Sequence, residues 1–475
     1  MPSTNEPSAQ FEQLSPTSYR VDITVPEDML KGRMQAIYSH LAQEANIPGF
    51  RPGKIPHNII NRHYGKERIL AEATEEVMND TFWPLIRDRE LTVIGNPRID
   101  TKGWKEGGEL KYVAVFEVIP QVPQIDYANL HVILPNREIT DDDIEVGLRR
   151  FRILFGSQKK ITDRPTQTGD FLNVDIEMES KDVTVPTIEG EVPWKMAEND
   201  MELELGGGKA IPGLEDALTG VELEEIKQFE LTIPDDFPDK RVREKTVSVK
   251  ARVKEIAEIT RAELTDELIK EKLSAQGIET VESLKAKIVQ ELQSTNARMD
   301  ERAKSEQIEA HLASDYDFPL PEGMVRAEYN DILDRSLSSL KDSGIDVDEM
   351  MKPDNDKGIK LRKRARYQAE RMTRLSLLFS EIARREAIHV GDEEVANYIM
   401  MQAYHQGLRE ADLKLLIKDP HFISSTKDNL LRLKVGHFLI SKVDVETIPF
   451  KEYRDRMEEH YEKIAEDENS FVESI

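Results

Sequence analysis

The 475-residue chain contains no cysteine. Disulfides, thiol nucleophiles and cysteine-based zinc sites are thereby excluded. Long apolar runs are also missing. No stretch approaches the roughly 18–20 apolar residues that a membrane-spanning helix requires, so no membrane partner is expected. The opening residues MPSTNEPSAQF have neither a basic segment nor an apolar core of the secretory kind, and a cytoplasmic protein is expected. Aromatic residues are scarce at 6%, and positive charge is in deficit. The 65 Lys and Arg face 91 Asp and Glu, a net charge of −26. That excess argues against general nucleic-acid binding, because phosphate contacts need a local surplus of cations. An RNA contact would have to come from a small basic patch on an acidic body. The ten histidines are scattered without an HExxH or an i,i+4 pair, so no metal is expected.

What is present points to an extended helical protein. Charged residues make up 33% of the chain and apolar residues 39%. This is too apolar for a disordered chain and too polar for one compact globule. The length predicts about three domains. Tyr19, Val21, Ile23 and Val25 alternate with polar residues and predict a strand. Leu30, Met34, Ile37 and Leu41 have helical spacing. A loop rich in Gly and Pro follows, then a second helix over about 67–88 and a strand over about 111–118. This β-α-loop-α-β order predicts a small α+β domain.

Residues 136–160 read as a helix with Thr140 as N-cap and a stripe of Ile144, Leu148, Phe151 and Phe155. From about 166 to 257 the signals are strands, among them Leu172, Val174, Ile176 and Met178, and later Val247, Val249, Ala251 and Val253. Beyond 258 the chain reads as helical almost to its end. Thr260 and Glu263 form an expected capping box. Leu284, Ile288 and Leu292, then Leu375, Leu378 and Ile382, mark apolar faces. From Glu458 onward seven acids face one Lys, which predicts a solvated, disordered tail.

Three features bear on function. In the loop Gly49-Phe50-Arg51-Pro52-Gly53-Lys54-Ile55-Pro56, an aromatic and two cations stand on a segment stiffened by Gly and Pro. Residues 49–68 hold five cations and one carboxylate. Such a patch suits a surface that mixes phosphate with protein. An ordinary helix–helix loop with solvated charges has the same composition, so both readings stand at this level. The second feature is the glycine-rich stretch Leu205 to Gly220. It lacks the GxxxxGK spacing, and Ala210 follows Lys209 where a phosphate loop needs Ser or Thr, so no nucleotide is expected. The third is a set of methionines, Met324, Met350, Met351, Met372, Met400 and Met401, on predicted helices. Exposed Met adapts to varied apolar partners, whereas a Met at helical spacing can equally be core. The basic run Lys360 to Arg366 is either a solvated helix face or a nucleic-acid contact.

The motif at Gly49-Phe50-Arg51, Gly53-Lys54 and Pro56, followed by Asn58-Ile59-Ile60 and Tyr64-Gly65, resembles the ribosome-docking signature of the trigger factor family. The resemblance implies an α+β multidomain protein covering nearly the full length. It comprises a docking domain (1–130), a linker helix packing with the C-terminal domain (131–165), an FKBP-like domain (166–257) and a helical substrate-binding domain (258–457), before the acidic tail (458–475). It implies an ATP-independent chaperone that docks beside the nascent-chain exit on a ribosomal protein and adjoining rRNA, needs no cofactor, and can self-associate to a dimer. Gly49, Phe50, Arg51, Gly53 and Lys54 would form the ribosome contact. Many relatives have a third cation where this chain has Pro52, which weakens the electrostatic part or moves it to Arg62, Lys66 and Arg68. Met324, Met350, Met372 and Met400 would meet clients. The resemblance also implies a prolyl-isomerase cup at Ile176, Trp194, Ile211, Leu214, Phe237 and Val249. Several of these stand where relatives have aromatics, so weak or absent isomerase activity is expected. The alternatives are a ribosome-independent holdase, a protein that is mainly a prolyl isomerase, and an insert with only a structural role.

Overall fold

The computed structural model describes all residues except 1–5, 46, 49, 102–107, 188–189, 209, 236, 344, 410–412, 414–415 and 475. The chain forms two compact units. One joins Met1–Pro135 to Arg302–Ile475, and the other is Asn136–Glu301.

The first unit opens with the hairpin β1 (Ser8–Ser15) and β2 (Ser18–Val25). Helices α1 (Glu27–Glu44), α2 (His57–Tyr64) and α3 (Lys66–Arg87) precede β3 (Val93–Thr101) and β4 (Leu110–Val118). The sheet order is β1-β2-β4-β3, all antiparallel, with Ile23 opposite Tyr112 and Val21 opposite Ala114. Alternation puts Val21, Ile23, Val25, Tyr112, Ala114 and Phe116 into one core with Leu30 and Ile37 of α1 and Ile69, Val77 and Phe82 of α3. The sequence pattern located β2, α1, α3 and β4 but not β1, α2 or β3. Both missed strands are sheet edges. β3 contains Gly95 and Pro97 and slips register between Ile94 and Arg98, which an edge tolerates and which hides its alternation. The short strand β5 (His131–Pro135) stands where the linker helix was expected to begin.

In the second unit the helix is α4 (Asp141–Leu154). Thr140 caps it as expected: its Oγ1 accepts from the Asp143 amide at 3.3 Å, and Asp143 returns a bond to the Thr140 amide at 2.9 Å. Leu148 of the predicted stripe packs with Ile269, Leu273, Leu284 and Ile288. The helix is shorter than expected because residues 157–161 form a strand, β6 (Ser157–Ile161). With β7 (Asp170–Thr187), β8 (Gly190–Glu204), the short α5 (Leu214–Leu218), β9 (Ile226–Thr232) and β10 (Thr246–Thr260) it makes a five-stranded sheet ordered β6-β10-β7-β8, with β9 also on β10. Thr260 ends β10 and caps no helix. The cap of α6 (Asp266–Leu273) is Thr265, whose Oγ1 accepts from the Leu268 amide. Helix α7 (Val281–Asp315) follows. Its residues up to 301 belong to this unit and those from 302 to the first.

Back in the first unit, α8 (Glu322–Asp342), α9 (Val347–Met350), α10 (Asp356–Arg385), α11 (Asp392–His405) and α12 (Pro420–Lys442) lead to β11 (Asp444–Ile448), which pairs in parallel with β5. Buried Gln307 bonds both the amide and the carbonyl of Ile133. Leu375, Leu378 and Ile382 form a core with Leu312 and Val435, as their spacing predicted. The expected disordered tail is instead helix α13 (Phe450–Ser474). Met457, Phe471 and Val472 pack inward, while most of its acids are exposed, so composition alone misread an amphipathic helix as a solvated end. In the basic run Lys360–Arg366, Lys360 and Arg364 are exposed as expected of a helix face, but part of the run is engaged within the fold. Arg366 forks onto Glu322 at 2.7 Å and bonds Glu370, while Lys363 and Arg364 hold α13.

Candidate functional site

The loop joining α1 to α2 has a fixed base and an open tip. At the base, the Gly53 amide donates to the Ala42 carbonyl at 2.7 Å, tying the loop to the last turn of α1. Gly53 has φ of +79°, which an L side chain adopts only with strain. Ile55 is buried in the core behind it. Tyr38 of α1 stacks on His57 with ring centroids 4.2 Å apart and donates to Asn61 Oδ1 at 2.6 Å, fixing α2 against α1. At the tip, the Lys54 amide closes a turn onto the Arg51 carbonyl at 3.0 Å. Phe50 is 39% exposed at the tip. Arg51 and Lys54 are exposed and have no ion-pair partner among the described residues. Arg62 and Arg68 stand exposed and unpaired on the following helices in the same way. The structure thus brings Phe50, Arg51, Gly53 and Lys54 together, while Gly49 lies outside the described residues.

The six cup residues gather in the β-rich core. Ile176, Trp194, Leu214 and Val249 are buried, and Ile211 and Phe237 pack against them partly exposed. Trp194 meets Phe237 edge to face at 6.5 Å between centroids. Its indole N–H donates to Asp239 Oδ2 at 2.7 Å, and Arg241 forks onto the same carboxylate at 2.7 and 2.9 Å. The Arg241 bonds, opposed by burial and assisted by Trp194, hold the Asp239 carboxyl down at about 2. Asp239 and Arg241 carried no sequence signal, because they sit over 40 residues from Trp194. A groove of about 270 Å³ beside the glycine turn is lined by Arg149, Arg150, Phe171 and Ala210 and by none of the six.

The glycine turn is closed to phosphate by its own chain. The amides of Gly206, Gly208 and Ala210 all donate to the Glu215 carboxylate, at 2.8, 3.1 and 3.2 Å. These are the donors that would otherwise cradle an anion.

The methionines separate. Met350, the last residue of α9, is 3% exposed, so it is not placed to meet a client as expected. Met324 and Met372 are half-buried. Met400 is 56% exposed, and Met401, Tyr404, Leu408 and Ile417 are exposed in its neighbourhood of the chain. Tyr404, at 85%, is the most exposed large apolar residue of this group and was missed because only methionine was sought.

A sequence profile described as "Bacterial trigger factor protein (TF)" matches residues 8–151, and one described as "Bacterial trigger factor protein (TF) C-terminus" matches residues 280–441. The trigger factor of Azospirillum brasilense is 30% identical over 387 residues, covering 81% of this chain and 82% of that protein. The chain belongs to the trigger factor family. It is accordingly a ribosome-associated chaperone of mixed α and β architecture, and the loop at 49–56 lies inside the first matched stretch. The trigger factor of Rhodospirillum centenum is 28% identical over 423 residues, with 89% of this chain and 91% of that one covered. A solved structure described as "Promiscuous Substrate Recognition in Folding and Assembly Activities of the Trigger Factor Chaperone" aligns with 91% of this chain and 99% of its own at 18% identity, with a TM-score of 0.46. Trigger factors bind ribosomes and unfolded chains, and the family carries a prolyl-isomerase domain. Residues 152–279 and those after 441 lie outside both profile matches. Among the described residues no helix is long and apolar enough to cross a membrane.

Proposed function

We propose that this trigger factor docks on the ribosome through the tip of the loop at 49–56 and shields newly made polypeptides in the cytoplasm without ATP. Phe50, Arg51 and Lys54 make the contact, and Gly49 and Gly53 shape the turn. The observation that carries the proposal is the tip itself: an exposed ring and two unpaired cations on a clamped base, in a chain of net charge −26. Ribosomal RNA attracts the cations, and the ring takes an apolar or stacking contact. Glu215 filling the glycine turn supports independence from nucleotide. Residues 1–130 then act as the docking domain, the exposed group around Met400 and Tyr404 as a client contact, and dimers form off the ribosome. The test is salt-dependent co-sedimentation with ribosomes carrying a nascent chain. Phe50→Ala, Arg51→Ala and Lys54→Ala combined abolish specific binding. Equal sedimentation of variant and wild type would overturn the proposal.

The β-rich insert is proposed as an FKBP-like module with weak or no isomerase activity. Its support is the burial of Ile176, Leu214 and Val249, which fill their own core where an open aromatic cup would be needed to desolvate a prolyl amide. Turnover of an Xaa-Pro peptide should stay near the uncatalysed rate and be indifferent to Ile211→Trp. Fast turnover that collapses in that variant would make isomerisation the main activity.

A further inference from the structure

Two features left unused by ribosome docking lie against each other within one compact unit: the basic run of α10 and the acidic helix α13. On α13, Tyr453, Met457, His460, Ile464 and Phe471 recur at spacings of three, four and seven, the stripe of a helix that buries one face. That face is seated on α10 and the end of α7. Phe471 meets Tyr367 with ring centroids 5.3 Å apart. Lys363 Nζ donates to the Val472 carbonyl at 2.8 Å, at the helix end where carbonyls lack intrahelical partners. Arg364 pairs with Glu468 at 3.4 Å.

The seat fits this occupant poorly. A groove of about 500 Å³, open to solvent along exposed Ser314, Lys463 and Asp467, runs among the three helices and is lined deeper in by Arg374, Ile464 and Phe471. The Arg374 guanidinium pairs with Asp317 at 3.1 Å through one terminal nitrogen, while its Nε is buried with no hydrogen-bond partner among the described residues. A buried donor without a partner is costly. An open groove beside a helix whose apolar seat rests on Met457, Phe471 and Val472 and on two polar ties leaves room for exchange of the helix for a bulkier segment of like chemistry.

We infer that the face of α7 and α10 beneath the C-terminal helix is a docking surface for acidic, aromatic-bearing amphipathic segments of client chains, occupied by α13 until a client displaces it. The inference deepens the client-shielding part of the proposed function. A tethered helix competes at high effective concentration, so the apparent client affinity falls by the fraction of chains whose seat is free.

The test uses the full chain and a fluorescein-labelled peptide of residues 450–474, read by anisotropy. Phe471→Ala with Val472→Asp unseats α13 and leaves the seat unchanged. Lys363→Glu with Arg364→Glu also frees α13 but spoils the seat. Hydrogen exchange over 455–470 reports the release in each. The first variant is expected to bind the peptide at least tenfold tighter than wild type, and the second no tighter than wild type. Glu468→Lys alone, which breaks one partly exposed ion pair, gives an intermediate gain and serves if the double variant misfolds. Equal binding by all variants, or no binding once α13 is free, overturns the inference. Ribosome co-sedimentation should be unchanged in all of them, so a failure of the docking loop would be seen separately.

Discussion

Replacing Gly53 with alanine asks whether the docking loop works through its shape as well as its charges. A Cβ at this position would meet no atom within 4 Å, so the penalty is purely one of backbone conformation. Holding φ near +79° costs a non-glycine residue about 1–2 kcal/mol. Relaxing to negative φ instead gives up the bond from residue 53 to the Ala42 carbonyl, worth about 1 kcal/mol net, and swings the tip away. The two routes are of similar cost, so the variant spends much of its time with Phe50, Arg51 and Lys54 misplaced although all three are present. One or two kcal/mol corresponds to about 5- to 30-fold in an equilibrium. With the two routes within about 1 kcal/mol of each other, the docking-competent fraction falls to about a half to a sixth, so ribosome affinity should fall by about 2- to 6-fold. Hydrogen exchange at residue 53, whose closed state is raised by the full strain, should accelerate by the larger factor. Asparagine tolerates the left-handed region better, so Gly53→Asn should recover most of the affinity. Co-sedimentation of Gly53→Ala at the wild-type level, or equal damage by alanine and asparagine, would refute the reasoning.

Arg164→Ala removes the fork that holds Asp170, whose side chain is 4% exposed and accepts at 2.6 and 2.8 Å. The loss should be about 3 kcal/mol, the low end for breaking a buried pair because Arg164 itself keeps some exposure. Urea unfolding followed by Trp194 fluorescence measures it, and a change below about 1 kcal/mol would contradict the burial argument. Chiefly through Arg164, the folded chain holds the Asp170 carboxyl below its ordinary 3.8, so the unfolded chain takes up the proton first. The advantage of wild type over the variant is therefore complete above that value and shrinks as the pH falls through the lowered one. Glu215→Ala leaves the amides of Gly206, Gly208 and Ala210 without their acceptor, and their exchange should quicken about tenfold, consistent with about 1.4 kcal/mol. Unaltered exchange would show that the carboxylate does not order the turn. His460 lies near His311 of α7, Arg371 of α10 and Lys463 of its own helix, and burial first, then these charges, hold its pKa below the ordinary 6.5. The undocked helix binds that proton first, so docking of α13 is firmest above about 6.5 and weakens as the pH falls below it. His460→Gln should flatten the pH dependence of exchange in α13, and an unchanged slope would assign it to other groups.

What could be read in the sequence was whatever depends on near neighbours. The alternation through Tyr19–Val25, the stripe from Ile144 to Phe155 and the Thr140 cap needed no partner to be recognised, because period and cap geometry are local properties. β8 was missed because it is an edge strand whose described side chains are mostly exposed, apart from Trp194 and Leu203, so no alternation marks it. The docking motif was legible for the same local reason. Its Gly, Pro, Phe and cations are contiguous, and the resemblance rests on their order.

Tertiary structure decided what depends on distant partners. Met350 and Met400 look alike in sequence, yet packing buries one and leaves the other in solvent, since burial belongs to the neighbours and not to the residue. The basic run at 360–366 and the acidic end of the chain each looked like a solvated segment. Only the fold brings Lys363 and Arg364 against Val472 and Glu468, about a hundred residues apart, and turns two apparent surfaces into a helix and its seat. The sequence by itself determined the elements marked by a local period or cap and the contiguous motif at 49–56. Which faces remain open for a partner was left to long-range packing, because the free energy of burying a surface exists only once another surface arrives to cover it.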